Sequence, residues 1–494
     1  MKVLLISDSA ALGLMETRPE PAWRVKLATL RNKDLLAPDY GAMHVVASLK
    51  AAGREVRVIN LVADVHNKFE LFHEPNTDPE AISGSRIGES AAARRSREYL
   101  IETLRDYQPD VVLITLSIYN LALYSRRLLG EITSECSNCR LVTGGIYSTF
   151  HPHEILSDGH ADVVIRGEGE ITCAELLDRM ESGAGLEGLP GISFREGASI
   201  LHNPERARIS DLDSLPHPYT VSDEFNVKTR FEILSRLNPD GDYIPGAGFL
   251  TSRGCPEECT FCLDPAINHR RVRFHSPEYV REVLDYCSEQ FPGGAGSFFF
   301  GDATFTMNRK RLARLLGLLD GLPYSYQIQT RADFLTRATV DILKDSGFTT
   351  VAIGAESFNQ EVLRDVARKR LDVSTILDAA RYVKRSGMNP VLTFIVGLPG
   401  ETRRSIERTV DILKENKLYT ATFFPLVVFK GTALFDVFTE SVSGKDMEAT
   451  RLNPYSEEYL FTSDEFPTVA ELTDFTRDIN ESVMDARAAA ASMG

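Results

Sequence analysis

The sequence predicts an α/β protein: a doubly wound domain, a second α/β domain behind it, and a short helical C-terminal segment. Three observations carry this reading. Short β-branched runs alternate with amphipathic stretches over residues 1–205, the alternation resumes from about Ile244, and beyond about residue 435 the chain turns acidic and partly helical.

In the first domain Lys2–Ser7 reads as a buried strand. Tyr40–Ala52 reads as a helix with Met43, Val46, Ala47 and Leu49 on one side, stopped by Gly53. Strands follow at Glu55–Asn60, Val111–Ser117, Arg140–Gly144 and Val163–Arg166, with helices at Arg94–Tyr107 and Leu121–Glu135. Sheets of this kind bind ligands beyond the carboxyl ends of their strands. A linker spans 206–243. In the second domain, 244–434, Gly248–Ser252 is a strand and Ser276–Gln290 a helix opened by a Ser-Pro cap. Ser297–Phe300, Tyr324–Gln329, Thr350–Ile353 and Val391–Val396 are further strands, and the aromatic run Phe423-Phe424 before Val427-Val428-Phe429 is a buried one. Thr468–Ala488 is the best helical stretch of the last segment, 435–494.

A chain of 494 residues has room for two or three cores. Its 43% hydrophobic and 25% charged residues are those of an ordinary soluble protein, and no stretch approaches a membrane span. The start is too quickly polar for a signal peptide. A net charge of −15 argues against a broad nucleic-acid surface.

Seven cysteines are present, three of them in Cys255-Pro256-Glu257-Glu258-Cys259-Thr260-Phe261-Cys262. Three thiolates on one short loop can hold three irons of a [4Fe–4S] cube and leave the fourth iron open. A structural zinc knuckle is the competing reading, but it wants four protein ligands, and no second pair follows at suitable spacing. Few cysteines and a redox-sensitive motif fit a reducing cytoplasm. Cys136 and Cys139 form a lone Cys-x2-Cys that reads as ordinary thiols, while Cys173 and Cys287 lie on helical patterns and read as core.

The Cys-x3-Cys-x2-Cys spacing, with Phe261 before the last cysteine, resembles the radical SAM enzymes. The resemblance implies that the open iron takes the amino and carboxylate groups of S-adenosylmethionine. An electron then splits that molecule into methionine and a 5′-deoxyadenosyl radical. The second domain resembles the family's partial (β/α)6 barrel, with catalysis at the strands' carboxyl ends. By that resemblance Phe261, Asp302, Gln329, Arg331, Glu356, Gly397, Leu398 and Pro399 are expected to line the S-adenosylmethionine pocket. Asp302 is expected at the methionyl end, Gln329 and Arg331 at carboxylate or ribose, Glu356 at ribose or amine, and Gly397 to Gly400 along the adenine. An N-cap or ion pair is the plain alternative for each carboxylate, Glu401 included. Lys430-Gly431-Thr432 departs from the family's Pro-Gly-Thr.

In the first domain, three strand ends carry Thr115-Leu116-Ser117-Ile118-Tyr119-Asn120, Gly144-Gly145-Ile146-Tyr147-Ser148 and Arg166-Gly167-Glu168-Gly169-Glu170. With the Asp211–Pro218 linker, the series resembles the Rossmann-like cobalamin-binding domain of cobalamin-dependent radical SAM enzymes. It implies cobalamin contacts at Ser117, Tyr119, Gly144, Gly145, Ile146, Tyr147, Gly167, Glu168 and Gly169. Glycines after strands also make tight turns with no ligand at all. The Asp-x-His-x-x-Gly signature of cobalt ligation is missing; Asp64 to Phe69, with His66, comes nearest and reads as surface loop. The turn histidines His151 and His153 read as polar surface.

The resemblance implies a methyltransferase acting through a 5′-deoxyadenosyl radical and methylcobalamin on an unactivated carbon, or a phosphinate phosphorus, of a small molecule. It also implies an electron donor such as flavodoxin or ferredoxin. A non-methylating radical rearrangement or cyclisation, and a non-catalytic redox sensor, are the competing readings. The last segment holds no cysteine, which favours a small-molecule substrate over a peptide.

Overall fold

A computed structural model describes residues 1–7, 39–61, 91–116, 122–229, 247–290, 297–322, 324–442, 463 and 465–492. The chain divides at residues 244/245 into two compact units.

The first unit is built on a seven-stranded sheet in the order β2-β1-β3-β4-β5-β6-β7. β1 (Val3–Ser7), β2 (Val56–Asn60), β3 (Val111–Thr115), β4 (Arg140–Gly144) and β5 (Val163–Ile165) run parallel, with Val3 facing both Val56 and Val111. Every residue of β1 is buried, as a central strand covered on both faces must be. Helices α1 (Tyr40–Ala51), α2 (Ala91–Tyr107) and α3 (Ala122–Glu135) connect these strands. Asp39 caps α1 by accepting from the Ala42 N–H at 2.9 Å. Chain order reverses between β1 and β3, which makes their carboxyl ends the switch point where such sheets take ligands.

The sheet goes beyond the expectation at its far edge. After α4 (Ile146–Phe150), α5 (Pro152–Ser157) and α6 (Gly169–Ser182), a hairpin of β6 (Ile192–Glu196) and β7 (Ser199–His202) adds two antiparallel strands. The described part of the segment expected as linker, 206–229, is packed: Tyr219, Phe225 and Val227 are wholly buried, and the Asn60 side chain donates to the Phe225 carbonyl at 3.0 Å. Asp64 to Phe69 lies outside the described residues.

The second unit is a sheet of six parallel strands in sequential order. They are β8 (Ala247–Phe249), β11 (Ser297–Phe300), β12 (Ser325–Thr330), β13 (Phe348–Glu356), β14 (Asn389–Val396) and β15 (Ala421–Pro425). Helices α8 (Pro277–Gln290), α9 (Arg309–Leu319), α10 (Arg337–Asp345), α11 (Val373–Arg385) and α12 (Arg403–Glu415) join them, giving the expected partial barrel. Phe298, Phe300, Phe305, Tyr326 and Phe348 stack through its core. A short antiparallel pair, β9 (Ser252–Arg253) with β10 (Arg273–Phe274), brackets the loop that carries the three cysteines and the short helix α7 (Asp264–Asn268). Helices α13 (Ala433–Val442) and α14 (Val469–Ser492) end the unit. No helix among the described residues is long and apolar enough to cross a membrane.

Candidate active site

The cysteine loop begins with a residue that only glycine can supply. Gly254 has φ +104°, and a Cβ there would stand 2.0 Å from the Arg271 carbonyl oxygen, inside any permitted contact. The next N–H, of Cys255, donates to Asp264 Oδ1 at 2.6 Å. Thr260 ties the middle of the loop to the turn after β13: its N–H donates to the Ala367 carbonyl at 3.1 Å and its hydroxyl to the Val366 carbonyl at 2.6 Å. That turn, Val362–Val366, is π-helical, a form that clusters at functional sites. On the other side Leu434 N–H donates to the Thr260 carbonyl at 2.8 Å.

The loop holds Cys255, Cys259 and Cys262 as half-buried free thiols. The Cys259 thiol is pushed up to about 11 and the Cys262 thiol to about 12, with burial the largest cause and the charge of Cys255 contributing to both. Lys369 and Arg331 pull Cys259 the other way. Thiols close enough to oppose one another's ionisation, with cations beside them, suit a polynuclear iron centre that binds them as thiolates. Among the described residues no group of three or more His, Cys, Asp or Glu, the three cysteines included, stands placed to hold a metal ion.

Around this loop the carboxyl ends of the barrel strands carry a set of buried polar groups. Glu356, at the end of β13, sits in the left-handed region at φ +61° beside a register shift in its pairing with β14. Its Oε1 accepts from Lys369 Nζ at 2.6 Å, both side chains being buried. A Cβ on Gly354 would fall 2.5 Å from that Oε1 and 2.6 Å from that Nζ, so the glycine makes room for the pair. Arg331 is buried, donates from Nη2 to the Lys369 carbonyl at 3.1 Å, is paired with Asp333 through Nε and Nη2, and stands 3.4 Å from Glu257. Gln329 is exposed at the end of β12. Phe261 packs with Val362, Ala367, Leu398, Leu426, Val428 and Leu434.

Asp302 is placed differently from its expected ligand role. Its carboxylate is 1% exposed and accepts from the Thr251 N–H at 3.2 Å, the Thr251 hydroxyl at 2.9 Å and the Ser252 hydroxyl. It thus holds the chain where β8 turns into the cysteine loop. Gly397 takes φ +95° after β14, with Leu398 buried and Pro399 half-buried. Glu401 lies beneath this turn, not at a helix cap. Its Oε1 accepts from the Ser357 hydroxyl at 2.5 Å and its carboxyl from the Gly397 N–H, while Oε2 is buried with no hydrogen-bond partner among the described residues. Burial pushes this carboxyl up to about 7.

The sequence reading missed Lys369, Thr260 and Ser357. Lys369 sits in the run Arg368-Lys369-Arg370, and a basic run reads as solvated surface. The positive φ of Arg368 and Arg370 is what turns the lysine inward, and nothing local announces it.

In the first unit Gly145 has φ +97°, and a Cβ there would be 2.5 Å from the Leu116 carbonyl oxygen, which also accepts from Tyr147 N–H at 3.2 Å. Gly144 ends β4, Ile146 is 40% exposed beside it, and Tyr147 stacks on His151 with centroids 4.2 Å apart. Gly167, at φ +77°, donates its N–H to Thr149 Oγ1 at 2.9 Å; Glu168 Oε2 accepts from Ile209 N–H at 2.8 Å; Gly169 opens α6. At the ends of β4 and β5 Gly144, Gly145, Gly167 and Gly169 are half-buried and Ile146 is exposed, a ledge at the edge where such sheets take ligands. Ser117 and Tyr119 lie outside the described residues. Cys136 and Cys139 pack against the core, with burial raising the Cys139 thiol well above its ordinary range.

The sequence matches the radical SAM superfamily over residues 249–413 and the B12 binding domain over residues 28–177. A protein of Pyrococcus horikoshii named an uncharacterized methyltransferase is 29% identical over 341 residues, 68% of this chain and 71% of its own. The cytidylyl-2-hydroxyethylphosphonate methyltransferase of Streptomyces wedmorensis is 24% identical over 446 residues, 82% of this chain and 79% of its own. The radical S-adenosylmethionine methyltransferase TsrM from Kitasatospora setae, solved with cobalamin and a [4Fe–4S] cluster, superposes with a TM-score of 0.65 at 15% identity, over 99% of this chain and 100% of that one.

Proposed function

Because the chain belongs to the radical SAM enzymes that carry a B12-binding domain, we propose that it is a cobalamin-dependent methyltransferase of a small molecule, acting on an unactivated carbon or a phosphinate phosphorus. The observation that carries this is the constellation at the barrel's strand ends: three free thiols on a glycine-pinned loop beside the buried Glu356–Lys369 pair and Arg331. The methyltransferase names of relatives covering 68% and 82% of the chain support methyl transfer as the outcome.

Cys255, Cys259 and Cys262 would hold the cluster, and the ledge of Gly144, Gly145, Ile146, Gly167 and Gly169, with Tyr147 and Glu168 beside it, would take cobalamin. When bound, the cluster supplies the electron that cleaves S-adenosylmethionine and cobalamin carries the methyl group. The protein's own work is placement. Glu356 accepts from ribose hydroxyls or the amine, Gln329 and Arg331 donate to the carboxylate or ribose, and the main chain of Gly397 to Pro399 lies along the adenine. Lys369, donating to Oε1 at 2.6 Å, holds the Glu356 carboxyl in orientation as an acceptor. Asp302 acts one step back, fixing Thr251 and Ser252 so that the loop starts in register. Burial around the thiols keeps water from competing reactions. An electron donor of the flavodoxin or ferredoxin type and a reducing cytoplasm complete the reading.

The test is anaerobic incubation of the iron- and cobalt-loaded protein with methyl-deuterated S-adenosylmethionine and the small-molecule fraction of a cell extract. A metabolite gaining the intact labelled methyl is expected. 5′-Deoxyadenosine accumulating with no labelled product would sink methyl transfer.

A further inference from the structure

The radical SAM match ends at residue 413, yet the chain beyond it reaches back to the turn read above as the adenine contact. The outer edge of β15 presents the N–H and C=O of Phe423, and one side chain satisfies both. Phe423 N–H donates to Asn480 Oδ1 at 2.9 Å, and Asn480 Nδ2 donates to the Phe423 carbonyl at 2.9 Å. Asn480 is 5% exposed and also donates to the Thr476 carbonyl, which fixes its amide on α14. A carboxamide used in this way does for an edge strand what a neighbouring backbone would do.

One helical stretch earlier on the same face, Leu472 is wholly buried, and its Cδ1 lies 3.0 Å from where a Cβ of Gly397 would be. The far end of the turn is held as well. Arg403 N–H donates to Glu465 Oε1 at 2.9 Å, and its guanidinium lies 4.8 and 5.1 Å from the Phe466 and Phe475 ring centroids and 3.3 Å from Glu471. The segment from Glu465 to Asn480 therefore touches the turn at Gly397, its exit at Arg403 and the strand beside it.

We propose that α14 serves as the barrel's seventh wall and sets the S-adenosylmethionine-binding turn Gly397–Arg403, with Leu472 and Asn480 as positioning residues. This rests on the reading of function given above. Leu472→Ala removes the side chain that stops Gly397 from relaxing outward; Leu472→Met keeps the volume. Asn480→Ala leaves two buried backbone groups unpaired, and if it fails to fold, the Leu472 pair carries the test.

The experiment compares wild type, the three variants and the exposed control Met484→Ala, all reconstituted anaerobically, by iron content, S-adenosylmethionine equilibrium dialysis and amide hydrogen exchange. Leu472→Ala is expected to keep its iron, raise the dissociation constant about tenfold or more, and speed exchange at Leu398 to Thr402. Leu472→Met and Met484→Ala should stay within about threefold of wild type. Wild-type affinity and wild-type exchange in Leu472→Ala would overturn the proposal. If wild type itself binds no S-adenosylmethionine, the functional reading falls, and exchange at the turn still decides whether α14 holds it.

Discussion

Glu401→Gln is expected to change the pH dependence of stability in one direction over one window. The Glu401 carboxyl has an ordinary value of 4.5 and is pushed up to about 7, with burial the largest cause and the hydrogen bonds from Ser357 and Gly397 opposing it. A carboxyl whose affinity for its proton is higher in the folded chain stabilises the fold fully below 4.5, and that contribution is lost as pH rises through about 7. One unit corresponds to about 1.4 kcal/mol, so the difference between the two values implies a loss of about 3 kcal/mol across the window and a flat profile above it. Glutamine keeps the acceptor for Ser357 and Gly397 but cannot ionise, so the variant lacks this slope. Anaerobic urea unfolding at half-unit steps from pH 5 to 8.5 gives the comparison, with the infrared carbonyl band of a protonated carboxyl as a second readout. The variant should gain on wild type steadily up to about pH 7 and then hold its advantage. A difference between the two proteins that stays constant over that range would refute the reasoning, and so would a wild-type-minus-variant infrared spectrum that lacks the protonated carboxyl band at pH 5.

Two further outcomes follow from the cysteine loop and the pair beside it. Gly254→Ala forces a Cβ to within 2.0 Å of the Arg271 carbonyl at a left-handed φ, so the loop start must move. Iron per chain after reconstitution should fall below about half of wild type with circular dichroism unchanged, and full iron loading would contradict it. Lys369→Met strands the Glu356 carboxylate and should cost about 3–5 kcal/mol, whereas Lys369→Met with Glu356→Gln should recover most of it. A urea double-mutant cycle with no coupling between the two positions would count against a buried ion pair.

How much of this was legible beforehand depends on whether the signal was local. β11 at Ser297–Phe300 and β4 at Arg140–Gly144 have the bounds read from the sequence, because an apolar or β-branched run between turn residues is complete in itself. The three cysteines were legible for the same reason, since their spacing lies within eight residues. The β6–β7 hairpin was not, because Ser199–His202 is short, half exposed and follows a long parallel pattern that suggested no change of direction. Asp302 was placed on the ligand because its neighbours matched a strand end. Its actual partners, Thr251 and Ser252, lie 51 and 50 residues away, and no pattern in the segment itself names them.

The same distinction explains why the chemistry of the site is divided between legible and illegible residues. Ligands to a cofactor must share a loop or sit at successive strand ends, so they recur at readable positions. The groups that hold those ligands in place need only reach them in space. Lys369 reaches Glu356 across 13 residues, Glu401 reaches Ser357 across 44, and Asn480 reaches Phe423 across 57. Each is a long polar or amide side chain, nearly buried, that satisfies a group left over by the strand ends. Burial makes these bonds matter, because a partner lost there leaves a polar group without water to replace it. Control of the site is therefore expected to extend well past the cysteine loop, into a C-terminal helix whose sequence carries no cofactor motif.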